Sequence, residues 1–141
     1  MIEDQLYRET ILEIAKNPSN RGEISSPDLE AKLLNPLCGD EIKLQLTIKN
    51  KQSLRSNELE KLRIVEKAVF NGNGCAISQA SASILATYIE GKTLNELKKI
   101  KSDDILKMVG INPSPARIGC ALLSLNVLKE ALKDAVEGQG R

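Results

Sequence analysis

The chain has no histidine. That absence removes Ser-His and Cys-His nucleophile pairs, histidine-based zinc hydrolysis and most proton shuttles that work near neutral pH. Ordinary hydrolase chemistry is not expected. Tryptophan is also absent, and aromatic residues make up only 2% of the 141 positions: Tyr7, Phe70 and Tyr88. Stacking platforms for bases are therefore lacking, and the core has to be packed from Leu, Ile, Val and Ala. Neither sign of charge dominates, with 20 basic against 19 acidic residues and a formal charge of +1. No segment forms a phosphate-tracking groove, and the Lys98, Lys99 and Lys101 cluster reads as a solvated helix end. Nucleic acid is not an expected partner. No apolar run approaches the roughly 20 residues of a membrane helix, and Glu3 and Asp4 stand where a signal peptide is basic. No membrane association is expected, and the chain is expected in the cytoplasm.

What is present is enough apolar material, 41% of residues, for one buried core. Ile2, Leu6, Tyr7, Ile11, Ile14 and Ala15 recur at helical spacing, and Asn17-Pro18 ends that helix. Ser19 to Asp28 reads as a surface connection. Alternation from Glu41 to Lys49 puts Ile42, Leu44, Leu46 and Ile48 on one sheet face. Leu62 to Phe70 supplies a return strand after a polar turn around Asn50 to Asn57, and Leu29 to Leu34 a third strand. Helices are expected from Ala76 to Glu90, stopped by Gly91, then at Leu94 to Ile100 and Ser102 to Met108. After Pro113 and Pro115 a long helix runs to about Val136, carrying Ala121, Leu125, Leu128 and Leu132 on one face. The fold class is α+β, a small antiparallel three-stranded sheet packed against four to five helices. Residues 1–137 form one domain and 138–141 a disordered tail.

Three cysteines are an odd number for a disulfide framework. Taken singly, each reads as a small buried core residue. Their surroundings point elsewhere, because each is expected at an element boundary among residues that favour exposure. Cys38 lies in the turn-forming run Asn35-Pro36-Leu37-Cys38-Gly39-Asp40. Cys75 follows Asn71-Gly72-Asn73-Gly74, which reads as a flexible loop, and opens the helix at Ala76, where free amides and the helix dipole favour thiolate. Cys120 falls in the opening turns of the last helix, three residues after Arg117, which can bring a cation to it or merely hydrate the helix end. Asp40 alone is a turn residue; beside Cys38, with Gly39 letting the chain curl, it is also a candidate fourth ligand. A Cys3Asp set suits Zn²⁺ or iron.

Asn35-Pro36-x-Cys38-Gly39-Asp40, Gly72-x-Gly74-Cys75-Ala76-Ile77-Ser78-x-Ala80-Ser81-Ala82-Ser83 and Arg117-x-x-Cys120 resemble the three signatures of the IscU/SufU/NifU N-terminal family. Leu6-Tyr7-Arg8 and Lys16-Asn17-Pro18-x-Asn20-x-Gly22 are similar to that family's opening segment, so the resemblance covers nearly the whole chain. It implies an iron–sulfur cluster assembly scaffold, rather than an enzyme, in which Cys38, Asp40, Cys75 and Cys120 hold Zn²⁺ or a transient [2Fe–2S] cluster. A PLP-dependent cysteine desulfurase would supply sulfur, and apo iron–sulfur proteins would receive the product. The alternative it implies is a SufU-like zinc-dependent sulfurtransferase that accepts a persulfide without holding a cluster. SufU-like behaviour makes Cys38 the persulfide acceptor and IscU-like behaviour Cys120, with Arg117 assisting.

Two departures separate the chain from IscU proteins, which generally carry histidine before the third cysteine and a Leu-Pro-Pro-Val-Lys stretch ahead of it. Here Gly119 and Asn112-Pro113-Ser114-Pro115-Ala116 stand there. Pro115-Ala116-Arg117-Ile118-x-Cys120 instead resembles SufU, without the long insertion of SufU proteins.

Overall fold

A computed structural model describes residues 2–35, 39–49, 63–110 and 115–139. The expected turn around Asn50 to Asn57, the start of the return strand at Leu62, Pro113, Cys38 and the last two residues lie outside the described residues. The element order is α1 (Ile2–Lys16), β1 (Leu29–Asn35), β2 (Asp40–Lys49), β3 (Ile64–Asn73), α2 (Ala76–Ile89), α3 (Leu94–Lys98), α4 (Ser102–Val109) and α5 (Pro115–Gln139). Strands come first and most of the helices after, giving the expected α+β arrangement. Among the described residues no helix is long and apolar enough to cross a membrane.

The strands form one antiparallel sheet in the order β1-β2-β3. Alternation along the central strand does what its period demands: Ile42, Leu44, Leu46 and Ile48 all point into the core. That face is covered by α2 and α5, which pack against each other as well. Helix α5 contributes Ala121, Leu125, Leu128 and Leu132 to the core, the stripe that its spacing predicts. Phe70, the one phenylalanine, is wholly buried within the same cluster.

Helix α1 packs on α2 and buries Ile11. The segment after it is more than a connection. Asn20, at a positive φ of 65°, donates from Nδ2 to the Ala68 carbonyl, and Gly22 and Asn20 exchange backbone hydrogen bonds with Phe70. The free edge of β3 is thereby partly paired, which leaves fewer unsatisfied strand groups in water. Further on, Ile24 exchanges two hydrogen bonds with the buried Gln45 carboxamide, so this polar side chain in the sheet is satisfied.

One local expectation is corrected here. The sequence of Asn71-Gly72-Asn73 suggests a loop, yet β3 continues through Asn73, with Asn71, Gly72 and Asn73 opposite Lys43, Ile42 and Glu41. Pairing with β2 outweighs the weak strand propensity of these residues. Glycine is required at position 72 for a steric reason. Its φ is 139°, and a β-carbon there would sit 1.9 Å from the Glu41 carbonyl oxygen.

Candidate metal centre

Four element ends meet at one point of the fold. Antiparallel register makes Asn35, the last residue of β1, the partner of Asp40, the first residue of β2. The Gly39 amide donates to the Asn35 carbonyl at 2.8 Å, and Gly39 takes a φ of 72°, which closes the link between the strands on a residue free to adopt it. On the other side of β2, Glu41 pairs with Asn73, so the end of β3 and the start of α2 arrive beside Asp40. The sixth residue of α5, Cys120, completes the convergence on its inward face.

Asp40 is 1% exposed and serves as a helix-end acceptor for α2. Its Oδ1 accepts from the Cys75 amide at 3.0 Å, and its Oδ2 lies 3.7 Å from Cys75 Sγ. Cys75 is the N-cap of α2 but makes no side-chain cap bond of its own. A carboxylate brought from 35 residues away supplies the negative group that the helix N-terminus favours. Ser78 closes the other flank: its hydroxyl donates to the Cys75 carbonyl at 3.0 Å and lies 3.8 Å from Cys75 Sγ.

The ligand atoms of Asp40, Cys75 and Cys120 all lie within 4.8 Å of one another. Tetrahedral coordination with bonds of about 2.0–2.3 Å sets donor atoms roughly 3.3–3.8 Å apart. The Cys75–Asp40 pair already meets that spacing, at 3.7 Å. Two thiolates and one carboxylate suit Zn²⁺ or iron rather than Mg²⁺ or Ca²⁺, which want oxygen alone. Gly74 keeps room for the cluster. A β-carbon there would meet Ser78 Oγ at 2.4 Å and Asp40 Oδ1 at 2.8 Å.

Burial within the group is uneven. Cys120 is wholly buried, Asp40 nearly so, and Cys75 is half-buried, so solvent reaches the described part of the site at Cys75. The surroundings of Cys120 in the sequence suggest exposure. The structure corrects this, because α5 turns the cysteine toward the core while its neighbours Ile118 and Gly119 face out. Arg117, one turn before it, is exposed. Cys38 lies outside the described residues, two positions before Asp40.

Sequence reasoning passed over two residues at this point. Asn35 reads as a turn residue before Pro36, but its Nδ2 lies 3.9 Å from Cys120 Sγ, across 85 residues of chain. Only its place at the head of the Cys38-Gly39-Asp40 run hinted at a site. Ser78 likewise stands in the quoted motif without an assigned contact.

The model of the NifU-like N-terminal domain matches residues 6–139. A zinc-dependent sulfurtransferase SufU from Bacillus subtilis is 34% identical, with 92% of this chain and 90% of the relative covered. An iron–sulfur cluster assembly scaffold protein IscU from Thermotoga maritima is 31% identical, over 94% of this chain and 96% of its own. Among solved structures, an iron–sulfur cluster assembly scaffold protein for the SUF system from Fervidobacterium islandicum superposes with a TM-score of 0.70 at 25% identity, covering 91% of this chain and 97% of the other. With the three-stranded sheet, its helical layer and an Asp-Cys-Cys cluster at their junction, these likenesses lead to one conclusion: the chain belongs to the NifU-like N-terminal domain family.

Proposed function

We propose that this protein is an iron–sulfur cluster assembly protein of the cytoplasm, which accepts sulfur from a PLP-dependent cysteine desulfurase and assembles or relays a cluster at Cys38, Asp40, Cys75 and Cys120. The observation that carries the proposal is the convergence of Asp40, Cys75 and Cys120 donors within 4.8 Å from three separate elements. Cys38 supplies the fourth donor. Zn²⁺ is the resting occupant, and it keeps the sulfurs as thiolates and shields them from oxidation.

Sulfur arrives as the outer sulfur of a desulfurase persulfide. A cysteine thiolate of this chain attacks that sulfur, a new S–S bond forms, and the desulfurase cysteine departs as thiolate, so no net oxidation occurs. Cys38 and Cys120 are the candidate acceptors, with Arg117 offering a cation to the anion that forms. Ferrous iron and an external reductant then convert the bound sulfur to the sulfide of a [2Fe–2S] cluster, which is cargo destined for apo iron–sulfur proteins. A carboxylate among thiolates favours release, since oxygen is the poorer ligand for such a cluster.

The likeness to the Bacillus sulfurtransferase and the Pro115-Ala116-Arg117-Ile118-x-Cys120 run support a second reading, persulfide acceptance with zinc retained and no cluster held. Anaerobic incubation with iron, cysteine, a reductant and a cysteine desulfurase separates the two. A visible cluster spectrum with loss of zinc supports assembly. Faster desulfurase turnover with zinc retained, abolished by Cys38→Ala, supports transfer alone. A chain that neither forms a cluster nor speeds the desulfurase is neither protein.

A further inference from the structure

Cys120 is removed from water, and a sulfur that carries negative charge in such a place needs N–H donors to replace the lost hydration. The Asn35 carboxamide is placed to be one, with Nδ2 at 3.9 Å from Sγ, near the outer reach of a hydrogen bond to sulfur. Its backbone is anchored independently, by register pairing with Asp40 and by the bond from the Gly39 amide. Gly119 leaves the carboxamide its room at close quarters. A β-carbon on Gly119 would come 3.1 Å from Asn35 Nδ2, and its three nearest contacts within 4 Å are all atoms of Asn35.

We propose that Asn35 is a positioning residue for Cys120: its N–H holds the Cys120 sulfur and draws electron density from it, making Cys120 less reactive than Cys75 once metal is bound and favouring Cys38 over Cys120 of the two candidate persulfide acceptors. Gly119 is the complementary half of the device. An amide hydrogen bond to a metal-bound thiolate lowers its nucleophilicity, as any donor does to an anion that would otherwise attack. Exchange with incoming groups then begins at another ligand of the set while Cys120 anchors. The inference rests on the metal-centre reading and concerns which ligand stays.

The test uses the full chain loaded with Co²⁺, whose thiolate-to-metal charge-transfer band reports electron density on sulfur, together with iodoacetamide labelling of Cys120 read by peptide mass. Asn35→Ala is expected to move the band to longer wavelength and to label Cys120 about fivefold faster, the factor that accompanies one hydrogen bond. Asn35→Asp, nearly isosteric and without an N–H donor, is expected to do the same and to release Co²⁺ faster. Gly119→Ala presses on the carboxamide, at 3.1 Å from Nδ2, from a helix that itself favours alanine, so a smaller change in the same direction is expected in a protein that folds. Normal Co²⁺ uptake with band and labelling rate unchanged in Asn35→Ala and Asn35→Asp overturns the assignment alone. A wild-type chain that takes up no Co²⁺ overturns the metal centre and this inference together.

Discussion

The amide of Cys75 donates to Asp40 Oδ1 at 3.0 Å, while Oδ2 of the same carboxylate stands 3.7 Å from the Cys75 sulfur. One buried side chain thus caps a helix and offers a ligand oxygen. The two roles separate by substitution. Asp40→Ala leaves the Cys75 amide without this acceptor and is expected to cost about 1–3 kcal/mol of stability, read by denaturant unfolding. Asp40→Asn keeps an acceptor oxygen but not the charge. It is expected to unfold near the wild-type midpoint while zinc affinity, measured by chelator competition, falls by more than the roughly ten- to hundredfold that loss of an outer-shell partner alone causes.

Three glycines grade the same substitution by place. Gly72→Ala collides with the Glu41 carbonyl at 1.9 Å and at a φ that opposes a side chain; thermal unfolding should show a loss of roughly 3 kcal/mol or more, or no folded protein. Gly74→Ala presses on Ser78 Oγ and Asp40 rather than on backbone, so zinc binding should fail at a smaller cost in stability. Gly22→Ala meets nothing within 4 Å and should be neutral in both assays.

Serine at the two described cysteines should separate packing from ligation. Cys120→Ser puts a hydroxyl at a wholly buried position and is expected to lower stability by about 1–3 kcal/mol. Cys75→Ser, half-buried beside Asp40 and Ser78, should leave the melting temperature close to wild type. Zinc content, measured on purified protein by atomic emission, should fall in both. Full zinc retention by either variant would remove that cysteine from the ligand set.

Acid should loosen the start of α3. Thr93 donates from its backbone amide and its hydroxyl to Glu96 Oε1, and the Glu96 amide returns a bond to Thr93 Oγ1. The backbone bond from Thr93, then its hydroxyl, holds the Glu96 carboxyl below its ordinary value of 4.5. A group whose folded value is depressed adds stability that is complete above the unfolded value and is lost as pH falls through the folded one. Titration of the Glu96 carboxyl by NMR should therefore show a midpoint below 4.5. Glu96→Gln should abolish the pH dependence that this group contributes in that range.

Much of the architecture could be read without coordinates, because it depends on local pattern. Alternation at Ile42, Leu44, Leu46 and Ile48 specified the buried face of β2, and the spacing of Ala121, Leu125, Leu128 and Leu132 specified the inward face of α5. Gly91, at a φ of 84°, marks the stop after α2 where a helix C-terminus favours glycine. Cys75 was expected to open α2, and it is the N-cap.

The candidate centre was legible in part. Side-chain type and flanking turns nominated Asp40, Cys75 and Cys120, and the resemblance joined them in one set with Cys38. The depth of each was not legible. Cys120 follows Ile118 and Gly119, which face solvent, and one residue of helix rotation buries it completely. Asn71-Gly72-Asn73 carries the composition of a loop, yet cross-strand pairing with β2 makes it strand.

By itself, then, the sequence determined the α+β class, the helix and strand faces, and the residue types able to bind a soft metal, since these follow from periodicities and donor chemistry within short stretches. Only the tertiary structure decided that Asp40 caps a helix 35 residues later and that Asn35 meets the sulfur of Cys120 85 residues away. The physical reason is that such contacts arise from strand register and helix packing. These are set by the whole core rather than by the neighbours of either residue.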